Sequence, residues 1–271
     1  QELLQKMPLH TAEAIVLRTY ALGETDRIVV MLTSDRGKKR GIAKAARRSR
    51  RRFGGALEPL THVRVAYVER EQRELVQWMY AEPVQSPMMA SDPDALTYAA
   101  YFADLLDEWC PQDHANPRGF RLASAVLASL STGGPAVALA RYFEFWLLKL
   151  EGVFPSLAAC GLCGCALRGG AALAASAEAF LCLDCAPDGR ADVSPASMQF
   201  LREATTQPPD VLRGKAWSAA AGAELAVLHR ALLARHLDRE PRSLRVVRAM
   251  AASQVVGRPA GFMAPGFEQR G

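Results

Sequence analysis

Cys160-Gly-Leu-Cys163 and Cys182-Leu-Asp-Cys185 are two C-x2-C pairs separated by 18 residues. That spacing lies in the range that reads as zinc ligation. Two residues between cysteines let both thiolates converge on one ion from a tight turn, and Gly161 and Gly164 supply the backbone freedom for it. Two such knuckles complete a tetrahedron of sulfurs. Four thiolates close the coordination sphere and leave no position for water, so the expected ion is a single structural Zn2+ held by Cys160, Cys163, Cys182 and Cys185. Cys165 is a surplus thiol beside the first pair, and Cys110 is a bystander on a helix.

A second constellation is electrostatic. The 271-residue chain has a formal net charge of only +5, yet ten basic residues and no acidic one lie between positions 36 and 52. They are Arg36, Lys38, Lys39, Arg40, Lys44, Arg47, Arg48, Arg50, Arg51 and Arg52. Without them the rest of the chain is net acidic. A positive excess confined to one window reads as a dedicated polyanion contact. Arginine suits it, because its planar fork grips phosphate and stacks on bases. Tyr20 and Phe53 are candidate aromatic platforms for bases.

Catalytic patterns are missing. Gly214-Lys215-Ala216 lacks both the first glycine and the hydroxyl of a phosphate-binding loop, and no H-E-x-x-H or zinc-deaminase pattern occurs. His229 and His236 read as surface or packing residues, and Glu24 and Asp26 as turn residues. The chain therefore reads as a non-enzyme.

The elements that must position these groups follow from periodicity. Half of the residues are apolar and 23% are charged, as in a chain that builds a core. No apolar run reaches 18 residues, which excludes a spanning helix. The segment before Leu9 lacks the apolar run of a secretory signal, Met7 looks like a natural start, and a cytoplasmic protein is expected. Strands are predicted over Glu13–Tyr20, Arg27–Thr33, Lys39–Ala45, His62–Val68 and Glu74–Tyr80, with 69–73 as a hairpin tip. Five short strands in about 70 residues fit a small closed barrel, either an OB-fold or an SH3-like barrel. Helices are predicted from Asp92-Pro93 to Trp109, then over Arg118–Ser131, Pro135–Leu150, Ala196–Thr205, Ala216–Leu237 and Ser243–Ala251. The cysteine segment interrupts them.

Particular residues also carry a resemblance. Tyr20-Ala-Leu-Gly-Glu-Thr-Asp-Arg27, Asp35-Arg36-Gly37-Lys38, Gly41-Ile-Ala-Lys-Ala-Ala-Arg-Arg48 and Phe53-Gly-Gly-Ala-Leu-Glu-Pro-Leu60 resemble the N-terminal domain of the RecO family of recombination mediators. His236-Leu-Asp-Arg-Glu-Pro-Arg-Ser-Leu244 resembles that family's C-terminal helical motif. The resemblance implies an α+β protein, with a five-stranded OB-fold barrel over 7–83 that binds DNA. A helical domain over 84–256 follows, carrying an inserted four-cysteine zinc segment at 160–185; beyond it the Gly- and Pro-rich stretch 257–271 reads by its composition as a disordered tail. It implies a cytoplasmic, nucleoid-associated bacterial protein that binds single- and double-stranded DNA and anneals complementary strands. With RecR it would help load RecA onto strands coated by single-stranded DNA-binding protein (SSB). The ten basic residues match the family's DNA-contacting region. The acidic, hydrophobic SSB tail is expected in the helical domain, with Arg118, Arg121 and Arg141 as rim candidates. An OB and zinc RNA binder associated with translation is the alternative; a metal-assisted nuclease would need clustered carboxylates that are not evident.

Overall fold

The computed structural model describes residues 8–69, 74–90, 94–215, 217–237 and 241–255. The suggested start at Met7, most of the 69–73 tip, the Asp92-Pro93 helix start, part of the His236–Leu244 motif and the tail lie outside them.

Strands β1 (Leu9–Leu22), β2 (Asp26–Thr33) and β3 (Gly37–Ala43) form a meander. After the short helix α1 (Arg50–Phe53) come β4 (His62–Val68) and β5 (Val76–Gln85). The strand order is β1-β2-β3-β5-β4, with β5 parallel to β3 and β4 returning to β1. This is a closed five-stranded OB-type barrel. Ala14, Val16, Val29, Met31, Val63, Val65, Tyr67 and Trp78 fill its interior, and Phe53, Ala56 and Leu57 plug one end. The buried Trp78 indole donates to the Val29 carbonyl at 3.1 Å, so the large ring enters without an orphaned N–H. The third strand starts and stops two residues earlier than its sequence pattern suggests. It ends where Ala45 takes a positive φ of 53°, its N–H captured by the Asp26 carboxylate at 2.8 Å.

The β1–β2 register shifts between Val16 and Arg18. The extra residue turns Leu17 and Arg18 together toward the outside of the barrel. There Ile15, Leu17, Val30 and Leu32 join the core of the helical domain, in one cluster with Tyr98, Phe102 and Leu106. Barrel and helices are thus welded through the barrel's outer face. The helices are α2 (Ala95–Trp109), α3 (Pro117–Ser131) and α4 (Ala136–Leu150), then α5 (Pro195–Thr206), α6 (Ala219–Ala234) and α7 (Arg242–Val255). Asn116, Ser194 and Ser218 cap α3, α5 and α6 by accepting a backbone N–H three residues on. The Ser218 cap explains why α6 begins at Ala219 rather than at Ala216. Between α4 and α5 the chain leaves the bundle, pairs β6 (Ala172–Leu173) with β7 (Phe180–Leu181), and carries the cysteines. Among the described residues no helix is long and apolar enough to cross a membrane.

A polar cluster sits inside the helical core. The Glu144 carboxylate accepts from the Arg141 guanidinium at 2.8 Å and the Tyr101 hydroxyl at 2.8 Å, and pairs with His229 Nδ1 at 2.9 Å. Arg141, Glu144 and His229 are all buried. Arg141 therefore belongs to the interior, and its suggested place on a tail-binding rim is corrected; Arg118 and Arg121 are exposed. His229, read as a surface or packing residue, is fully enclosed and tied to a carboxylate. Burial alone would raise the Glu144 carboxyl, but Arg141 first, then His229 and Tyr101, hold it below the usual range. Burial lowers His229, and Glu144 only partly opposes it. The neutral imidazole donates through Nδ1, and its Nε2 faces no partner that could satisfy a second proton.

Both shifts mean that the unfolded chain binds protons more readily, so acid destabilises the fold. The melting temperature is expected to fall as pH drops below about 6.5, where an unfolded histidine protonates, and again below about 4.5 from Glu144. His229→Asn should remove the first loss and keep the second in a pH series of thermal melts. Arg141→Met should cost about 3–5 kcal/mol at neutral pH by stranding Glu144.

Candidate nucleic-acid interface and cysteine cluster

The ten cations of the basic window fall into two groups. Lys39 is buried, with its ammonium between Glu69 and Asp113, the latter at 2.7 Å. Burial alone would lower that ammonium, but Asp113 and Glu69 outweigh it and hold it raised. Lys38 reaches Asp107 on α2 at 3.2 Å, and Arg36 lies 3.7 Å from Asp35 and 3.9 Å from Glu69. Arg52 donates to the Lys44 carbonyl at 2.7 Å and to Ser49 Oγ at 3.1 Å, with its guanidinium over the Phe53 ring. These four side chains work within the fold. The other six, Arg40, Lys44, Arg47, Arg48, Arg50 and Arg51, are exposed and have no ion pair among the described residues.

The backbone beneath them is held. Arg47 N–H donates to Thr25 O at 3.0 Å and Ala45 N–H to Asp26, which ties the segment to the β1–β2 turn. Its far end is anchored by Phe53, which is buried in the barrel core and so is unavailable as a base platform. Tyr20 is exposed. The result is a fixed strap bearing outward cations. Among the described residues none of the six forms an ion pair, and Asp26, which caps the strap's backbone, interacts of the six with Lys44 alone, so most of their mutual repulsion is left to counterions or a polyanion.

The second constellation closes as its spacing suggests. The sulfurs of Cys160, Cys163, Cys182 and Cys185 all lie within 4.8 Å of one another, and those of Cys163 and Cys182 are 3.7 Å apart. A tetrahedron of sulfurs about 2.3 Å from an ion has edges of roughly 3.8 Å, so the donor set fits a thiophilic metal. Gly161 is required here, because a Cβ on it would stand 2.4 Å from that of Ala179. Gly164 takes a φ of +74° as the knuckle turns. Backbone N–H groups, first of Cys163 and then of Cys182, pull the Cys160 thiol down to about 6, while its hydrogen bond to Cys182 pushes Cys185 up. Cys165 is exposed and outside the four-sulfur group. Cys110 is a core residue whose thiol burial pushes up to about 11. The lobe docks through buried Phe180, which meets Phe154 at 6.0 Å.

Two features escaped the sequence reading. One is the clamp between domains: Arg18 pairs with Asp107 at 2.5 Å, Glu108 at 2.9 Å and Asp104 at 3.4 Å. The clue was an acidic stripe on the predicted first long helix. The other is a cleft of about 180 Å³ walled by Phe200, Leu212 and Trp217, with Lys215 and Glu203 at its edge. No local pattern announces it, because its walls come from separate segments of the chain, Phe200 on α5 and Leu212 and Trp217 from the stretch before α6.

Comparison with known proteins agrees with this architecture. Residues 7–87 match the family described as recombination protein O N terminal, and residues 90–245 match recombination protein O C terminal. A DNA repair protein RecO of Koribacter versatilis is 46% identical over 158 residues, 58% of this chain and 64% of that protein. The RecO of Geobacter sulfurreducens is 36% identical over 79% of this chain and 92% of its own length. That of Desulforudis audaxviator is 34% identical over 91% and 99%. The translation-associated alternative is not favoured by these relatives. With its OB-type barrel and helical domain each matched in turn, the chain belongs to the recombination protein O family of DNA repair proteins.

Proposed function

We propose that this protein is a non-enzymatic recombination mediator that binds single- and double-stranded DNA and anneals complementary strands. The observation that carries the reading is the strap of six exposed cations, without an ion pair among the described residues, on a backbone fixed to the barrel. Arg40, Lys44, Arg47, Arg48, Arg50 and Arg51 contact phosphates, and a surface of this charge lowers the repulsion between two strands brought together on it. Lys38, Lys39, Arg36 and Arg52 serve by holding the strap and the domains in place.

Partners follow from the chemistry of exchange. Clearing a tightly bound coat without a nucleotide motor requires gripping coat and strand at once, so that each raises the effective concentration of the other. The acidic, hydrophobic end of SSB would find apolar walls in the cleft of Phe200, Leu212 and Trp217, and would have to displace Glu203 from Lys215, which it holds at 2.6 Å at the cleft's edge. Together with RecR, the protein helps load RecA onto the SSB-coated strand, in the cytoplasm. One Zn2+ held by Cys160, Cys163, Cys182 and Cys185 supplies structure alone, since four sulfurs leave it no open position. It braces a lobe whose apolar side chains, Leu167, Ala171 and Phe180, are already buried against the helical core.

Two experiments test this reading. SSB-coated complementary oligonucleotides, mixed without ATP, should anneal faster with the protein than without it. The quadruple variant Arg47→Ala, Arg48→Ala, Arg50→Ala, Arg51→Ala should lose at least about tenfold in that rate. Unchanged annealing by the variant would refute the strap as the DNA surface. For the metal, the purified protein should carry one zinc by elemental analysis. The double variant Cys163→Ser, Cys185→Ser should carry none and melt roughly 5 °C or more lower. A metal-free wild-type protein with the same melting temperature would remove the zinc from the account.

A further inference from the structure

The outer face of the β1–β2–β3 sheet is divided. Cross-strand partners share a face, and the register sets Tyr20 beside Ile28, Ile28 beside Ile42 and Ile42 beside Gln77. One pair further along the same face, Arg18 lies beside Val30, and from there Val30, Leu32, Ile15 and Leu17 pass under the helical domain. The half that remains open carries Tyr20, 41% exposed, with Ile28 and Ile42 half-buried. Arg18, two residues before Tyr20 on the same strand, marks the boundary with the covered half, where it pairs with Asp104, Asp107 and Glu108. Arg40 on β3 and Lys44, just past its end, flank Ile42 at alternate positions, both exposed and without an ion pair among the described residues. An aromatic and aliphatic strip thus runs across three strands between cations.

We infer that this strip is a base platform that selects unpaired strands, an inference that rests on the DNA-binding reading above. Tyr20 stacks one base, Ile28 and Ile42 support its neighbour, and Arg40 and Lys44 hold the flanking phosphates. A duplex keeps its base faces stacked on one another and presents only phosphates, so it engages the cationic strap but not the strip. Three strands span about 10 Å, room for roughly two nucleotides. The strap supplies affinity for any DNA, and the strip adds a preference for the single strand.

The test compares a fluorescent single-stranded oligonucleotide with a duplex of equal length by anisotropy titration. Tyr20→Ala should weaken single-strand binding about tenfold and leave duplex binding within about twofold. Tyr20→Phe should retain single-strand binding, whereas Tyr20→Leu, which keeps the apolar bulk, should lose it. Equal loss on both substrates, or no loss on single strands, would overturn the strip. The strap variant Arg47→Ala, Arg48→Ala, Arg50→Ala, Arg51→Ala separates the two ideas. If it weakens both substrates while Tyr20→Ala changes neither, the strip alone is wrong. If it changes neither substrate, the DNA-binding reading falls and takes the strip with it.

Discussion

The weld between the barrel's outer face and α2 is the constraint on which the rest depends. Ile15, Leu17, Val30 and Leu32 leave water against the helical core, each contributing roughly 1.5–3 kcal/mol. Around them Arg18 meets Asp104, Asp107 and Glu108, and Lys38 meets Asp107. Partly exposed ion pairs contribute about 0–1 kcal/mol apiece, so the apolar contact supplies the stability and the charges supply orientation. Close approach sharpens that orientation: a Cβ on Gly37 would lie 1.9 Å from the His114 carbonyl oxygen, and Gly37 itself holds a φ of +72°.

From that weld follows the division of labour within the basic window. Cations on the early part of β3 face the carboxylates of the helical domain and of Glu69, and are consumed by the fold. From Arg40 onward the cations have passed the edge of the covered area and, except for Arg52, meet solvent. The same edge splits the sheet face, sealing Val30 and leaving Ile28 and Tyr20 open. A barrel that would otherwise expose a whole face thus keeps a narrow one, bordered by charge. The cysteine lobe joins the helical core through Leu167, Ala171 and Phe180, and the buried His229 lies 5.8 Å from the Phe154 ring that Phe180 meets.

The parts legible in the sequence are those whose determinants are close along the chain. Period-two alternation revealed β4, turn signals bounded the apolar run of β2, and the cysteine spacing announced four converging sulfurs, because each knuckle is made by a single turn. The start and end of β3 were blurred by Gly37, Gly41 and two lysines, which carry little strand signal. The short helix α1 was invisible, since an arginine run with one apolar residue, Phe53, has no period to read. The roles of Lys38 and Lys39 could not be separated from those of Arg47 to Arg51, because their counter-charges stand 30 or more residues away in Glu69 and Asp107. Arg141 was misplaced for the same reason: its surroundings are completed by His229, 85 residues beyond Glu144.

The partition of the basic window is best tested by comparing two variants of the whole protein, Lys38→Ala with Lys39→Ala against the quadruple Arg47, Arg48, Arg50, Arg51 alanine variant. For each, the thermal midpoint is measured together with the slope of log affinity for single-stranded DNA against log salt. The lysine pair should lower the midpoint and leave the slope intact. The arginine set should leave the midpoint intact and flatten the slope by roughly 3, at about 0.7 for each phosphate no longer neutralised. A lysine variant that flattens the slope as much as the arginine variant, or an arginine variant that leaves it unchanged, would contradict the account.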